Sequence, residues 1–129
     1  MRFNILVTGA LYSTQSAFSA LQFCEAAIAA DHTVEQVFFY QDGVSQASAL
    51  SVPLSDEYDA VNAWVSFAKR SGSDLVVCVS AGERRGVLGQ EQLAELNQVA
   101  SNMHSSFRVE GLGVLHQACL TADRTVTFK

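Results

Sequence analysis

Short apolar runs alternate along this chain with longer stretches in which apolar positions recur at three- and four-residue spacing. The runs Phe3 to Val7, Thr33 to Tyr40 and Leu75 to Val79 are rich in β-branched and aromatic residues and are bounded by polar or glycine residues. They predict strands, the first and third of them buried on both faces. Gln15 to Ala30 sets Ala17, Ala20, Leu21, Cys24, Ala27 and Ile28 on one helical face, with Ser13 or Thr14 as its cap. After the turn Gln41-Asp42-Gly43, Val44 to Leu50 predicts a short helix. A further helix is expected with Ser55 as cap, acids Asp56, Glu57 and Asp59 at its positive end, and a stripe of Tyr58, Val61, Trp64, Val65 and Ala68. Lys69, Arg70 and Gly72 supply its stop signal. Gly89 to Met103 reads as helical, with Leu93, Leu96, Ala100 and Met103 in phase. Phe107 to Leu112 predicts a short strand, Gly113 to Ala122 a last helix, and Asp123 to Phe128 a strand exposed on one side.

Strands alternating with helices imply an α/β fold: a doubly wound, mostly parallel sheet with helices on both faces. No repeat, linker or low-complexity stretch divides residues 1–129, so a single domain is expected. The N-terminal segment reads as strand, loop and amphipathic helix rather than a targeting signal, because Tyr12 to Ser16 breaks the apolar run. No stretch has the length of a membrane span.

Composition changes the picture in two ways. Charged residues are only 16% of the chain against 49% hydrophobic, which points to a surface partly covered by other chains. The net charge of −5, with Lys69-Arg70 and Arg84-Arg85 as the only adjacent basic pairs, argues against direct binding of nucleic acid. Cys24, Cys78 and Cys119 form neither a disulfide framework nor a zinc spacing, and a reduced, cytoplasmic setting fits them best.

The candidate chemistry lies at Cys78. It ends an apolar strand and precedes Ser80, Ala81, Gly82, Glu83, Arg84, Arg85 and Gly86. Ligands and chemistry collect at the carboxyl ends of strands in open α/β sheets. Two arginines and a helix start nearby form a setting that favours a reactive thiol. The opposite reading, an inert core cysteine, stands beside it, since free cysteine is among the most buried residue types. Cys24 and Cys119 fall inside helix patterns and are expected to pack. Glu83 reads as a solvated helix-start acid or an arginine partner, and Trp64 as core or interface. His32, His104 and His116 are scattered; His116 and Cys119 share a helical face, which makes a weak metal pair. Gly9 to Gln15 occupies the place of a phosphate loop but lacks both glycine-rich fingerprints. A nucleotide or small-ligand module without transferase activity is therefore the alternative of another class.

The opening M-R-F-x-I-x-V-T-G with Tyr12 and Thr14-Gln15 resembles the DsrE/TusD family of sulfurtransferase subunits. So do Val37-Phe38-Phe39-Tyr40-x-x-Gly43-Val44, Ser55-Asp56-Glu57, Ala63-Trp64, Cys78-Val79 with Arg84-Arg85-Gly86-Val87, and Gly111-Leu112-Gly113. The likeness runs nearly end to end in order and spacing. Gly82-Glu83 departs from the small apolar residues of that loop.

The resemblance implies a sulfur-relay protein that carries sulfane sulfur as a persulfide on Cys78. An upstream sulfur donor protein would load it and a downstream sulfur carrier protein would receive it. It also implies TusB-like and TusC-like homologous subunits as partners, 2-thiolation of a tRNA wobble uridine as the destination, and no metal or organic cofactor. A DsrE-type sulfur-oxidation carrier is the alternative within the family.

Overall fold

The computed structural model describes residues 1–129. Along the chain come β1 (Arg2–Val7), α1 (Ser16–Ala29), β2 (Thr33–Phe39), a 3₁₀ turn (Gln41–Ala47), α2 (Ala60–Ser71) and β3 (Asp74–Cys78). Then follow α3 (Val79–Arg84), a 3₁₀ turn (Gln90–Gln92), β4 (Phe107–Glu110), α4 (Leu112–Thr121) and β5 (Arg124–Phe128). The strands form one sheet in the order β4-β3-β2-β1-β5, and every pair is parallel. The α/β fold expected from the pattern is the fold observed.

Side chains alternate across a strand, so register divides the sheet into two faces. Ile5 and Val7, with Phe3 on the same side of β1, align with Val37, Phe39, Leu75, Val77, Val126 and Phe128. This face packs against α1 and α2: Phe23 of α1 meets Phe3 at 5.3 Å edge-on, and Trp64 of α2 meets Phe39 at 5.3 Å edge-on. Asn4 projects to the other face, where its amide reaches Cys119 of α4. The physical reason is handedness. The chain steps from β1 to β4 in one direction and then returns to the far side of β1, and right-handed crossovers in opposite directions cover opposite faces. Trp64, Phe38, Phe39 and Phe67 are the largest fully buried side chains. Each contributes about 1.5–3 kcal/mol by burial alone.

One buried polar network ties the carboxyl edge together. Trp64 Nε1 donates to Gln46 Oε1 at 2.8 Å, and Gln46 Nε2 donates to the Gly9 carbonyl at 2.9 Å. Gly9 fits only as glycine, since a Cβ there would come within 2.2 Å of Ser16 Oγ.

Several local expectations are corrected. The helix expected from Ser55 onward starts at Ala60, and Asp59 caps it by accepting from Asn62 N at 3.1 Å. Tyr58 therefore stands outside the helix, and it is exposed. The stop at Gly72 is as expected, in the left-handed region at φ 76. Neither Ser13 nor Thr14 is the residue that caps α1; Gln15 holds that place without a side-chain bond, and Thr14 Oγ1 accepts from Ser16 N at 3.2 Å. The short helix after β2 is a 3₁₀ turn that already includes Gln41.

The helix expected over Gly89–Met103 does not form. Only Gln90–Gln92 winds, as 3₁₀, and the rest is turn and irregular chain. Asn97 sits at φ 51, a conformation that breaks a helix and that asparagine tolerates. The Asn102 side chain accepts from Leu88 N and donates to the Gly86 carbonyl, both at 2.9 Å, which folds the segment back on itself. Val99, 98% exposed, has no core to face.

Candidate functional site

β3 lies between β2 and β4, and Cys78 is its last residue. Helix α3 starts at the next residue, so Cys78 is also the residue that caps it, with extended backbone at φ −62 and ψ 123. The strand-end position is as the sequence implied. On accessibility the buried one of the two readings holds: Cys78 is 0% exposed and belongs to the main hydrophobic cluster. The reason is lateral. Hydrogen-bonded strands flank β3 on both sides, and the direct turn into α3 leaves no open loop above the thiol. Of side chains, Ser80 comes within hydrogen-bonding distance: its Oγ lies 3.6 Å from the sulfur. Glu110 ends β4 directly beside Cys78 in register, and Arg108 Nη1 holds its carboxylate at 2.5 Å.

The two adjacent arginines of this segment have different settings. Arg85 Nε donates to Asp42 Oδ1 at 2.8 Å, and its Nη1 donates to the Ala81 carbonyl at 3.2 Å. Its charge is thus directed at the loop after β2. Arg84 is exposed and takes part in no ion pair. Glu83 bonds neither arginine; Gln92 Nε2 donates to it at 3.3 Å. Gly82 lets the chain turn back, since a Cβ there would come within 2.7 Å of the Val87 carbonyl.

The other cysteines divide. Cys24 is buried, as expected, and burial pushes its thiol up to about 12 from 9.0. Cys119, expected to pack, is exposed. The inward stripe of α4 is Val114, Leu115 and Ala118; Cys119 lies at its edge, one turn beyond Leu115, and is exposed although its sulfur still reaches the sheet. Asn4 Nδ2 donates weakly to its sulfur at 3.5 Å.

Sequence reasoning missed Asp42 and Glu110 as neighbours of the Cys78 segment. The signal for Asp42 was its place just after a parallel strand, at the same edge as Cys78. Glu110 needed the β3–β4 register. Gly9 to Gln15 does meet a polar crevice at the carboxyl edge, of about 740 Å³, with Thr8, Tyr40, Asp42 and Lys129 among its walls. It is separate from the Cys78 thiol.

The chain is 44% identical over 128 residues to the Sulfurtransferase TusD of Enterobacter sp. (strain 638), covering 99% of this chain and 100% of that protein. It is likewise 44% identical to the Sulfurtransferase TusD of Yersinia pestis (strain Pestoides F), covering 99% and 98%. The crystal structure of the ychN protein from E. coli superposes with a TM-score of 0.76 over 99% of this chain and 100% of that one, at 19% identity, which establishes a shared fold. The DsrE/DsrF-like family model matches residues 1–128, and the chain belongs to that family.

Proposed function

We propose that this chain is a sulfur-relay sulfurtransferase in which Cys78 carries sulfane sulfur as a persulfide. The observation that carries the proposal is the position of Cys78. It is the one cysteine at the carboxyl end of a strand, where parallel sheets present chemistry, in a chain similar over its full length to proteins named sulfurtransferase.

The chemistry is thiol exchange. The Cys78 thiolate attacks the outer sulfur of a donor persulfide; the new S–S bond forms on Cys78 as the donor S–S bond breaks. The donor leaves as a thiolate, and the proton released from Cys78 neutralises it. Loaded Cys78 then presents its own outer sulfur to an acceptor thiol by the same exchange in reverse. No oxidant is consumed in either step. A hidden sulfur can neither attack a donor persulfide nor be attacked by an acceptor thiol, so each step requires the β3–α3 junction to open. We assign that opening to contact with donor and acceptor proteins.

The destination we propose is 2-thiolation of a tRNA wobble uridine, in the cytoplasm, within a complex that includes TusB-like and TusC-like subunits. Exposed Leu50, Val52, Leu54 and Leu120, with the low charge content, are surface suited to such neighbours. The test is incubation with a persulfide donor protein followed by intact-mass measurement. The wild type gains one labile sulfur, and Cys78→Ser gains none while melting as a folded protein. Labile sulfur on Cys78→Ser, or its loss only in Cys119→Ser, overturns the assignment.

A further inference from the structure

All the exposed phenylalanine and tyrosine rings of this chain meet in one place. Tyr12, Phe18 and Tyr58 are 46%, 42% and 49% exposed, and together they line a groove between the start of α1 and the residues that lead into α2. Tyr58 meets Phe18 edge-on at 5.6 Å, and Tyr12 Oη donates to the Tyr58 carbonyl at 3.0 Å. Scattered single aromatics need no explanation, but a convergent set does. The backbone adds to the case: Tyr12 has φ 62, a left-handed conformation that is uncommon for a bulky residue and is held at a cost.

The groove is also acidic. Glu57 lines it, and Asp56 and Asp59 flank Glu57 and Tyr58 in the chain. No ion pair of the chain uses any of these three carboxylates. Glu57 Oε2 accepts from Leu54 N at 2.8 Å, which fixes the carboxylate without neutralising it. The starts of α1 and α2 offset part of this field, each by about half a positive charge, and three carboxylates outweigh them. Burial raises the Tyr12 hydroxyl, and Asp59 and Glu57 add to the rise, as expected where the local potential is negative.

We propose that this groove is a docking site for an arginine side chain of a partner protein. Its cavity, about 270 Å³, lies below the roughly 300–1,000 Å³ of small-molecule sites and suits one long side chain. A guanidinium stacks on aromatic faces and forks onto a carboxylate, and the groove supplies both. The groove lies apart from Cys78, so the proposal stands whether or not Cys78 carries sulfur.

The test uses the full chain with ¹³C-labelled aromatic rings, titrated with the peptide acetyl-Gly-Arg-Gly-amide and its citrulline counterpart. The citrulline side chain has nearly the shape of arginine and no charge. The arginine peptide is expected to shift Tyr12, Phe18 and Tyr58 saturably in the millimolar range, and the citrulline peptide to bind about tenfold more weakly or worse. Glu57→Gln should weaken the arginine peptide by about tenfold and leave the citrulline peptide unchanged. Glutamine keeps an acceptor for Leu54 N, and an unchanged spectrum elsewhere confirms the fold. Equal binding of the two peptides, shifts that do not saturate, or tighter binding of free L-arginine than of the peptide overturns the proposal.

Discussion

Cys78 and Cys119 exchange the roles that local pattern suggests for them. Cys78 sits where a strand gives way to a helix, a position that reads as open, and it is sealed. Cys119 sits among apolar neighbours on a helix, a position that reads as packed, and it is exposed. The difference lies in the layer. A strand inside the sheet is walled by its neighbours along its whole length, so even its last residue is enclosed when a helix follows at once. A helix on the outside offers one stripe to the sheet, and a residue at the edge of that stripe, as Cys119 is, stays open to solvent on its other side. For the sulfur chemistry the lesson is that the accessible thiol and the placed thiol are different residues. A relay that uses Cys78 gains protection of its persulfide from stray thiols, at the cost of needing an opening step.

The sharpest way to break this comparison is thiol labelling of the native chain by itself. Cys119 should react with iodoacetamide at nearly the rate of an unfolded cysteine. Cys78 and Cys24 should lag by orders of magnitude, because they react only from opened states. Donor or acceptor protein should accelerate Cys78 and leave Cys24 protected. Rapid labelling of Cys78 in the chain alone would show that the junction is open without a partner, and the comparison would fail.

A smaller effect separates the buried thiols from the exposed one. Cys24→Ser places a hydroxyl in the core and should cost about 1–3 kcal/mol, whereas Cys119→Ser should stay within about 0.5 kcal/mol. Urea titrations of the three proteins decide this. Alkaline pH sharpens it. The folded state holds the Cys24 thiol up at about 12 from 9.0. A raised pKa means stability that is full below the ordinary value and is lost as pH rises through the folded one. Wild-type stability should therefore fall above about pH 9 more steeply than that of Cys24→Ala.

The smallest effect concerns Arg85. Its pair with Asp42 joins the α3 segment to the loop after β2, yet the two side chains are 36% and 68% exposed. Asp42→Asn should shift stability by less than about 1 kcal/mol, measured by thermal melts at low and high salt. A larger loss would mean that this pair, rather than the strands, holds the Cys78 junction closed.

By itself the sequence determined the order of the strands, the α/β class, the core stripes of α1 and α2, the stop at Gly72 and the singling out of Cys78. These are local or periodic properties. Apolar spacing of two or of three to four residues selects which backbone can bury its side chains, and a glycine after a cationic last turn ends a helix wherever it occurs. Tertiary structure decided the rest. Gly89–Met103 has a helical stripe but no surface to bury it on, while the Asn102 side chain offers its backbone other partners. Asp59 rather than Ser55 caps α2: Asp59 accepts from Asn62 N, while Leu54 and Glu57 bond each other in a turn of their own. Whether Cys78 faces water, and that Asp42 and Glu110 lie beside its segment, depend on strand order and register. Those are long-range pairings, and no window of the chain contains both partners.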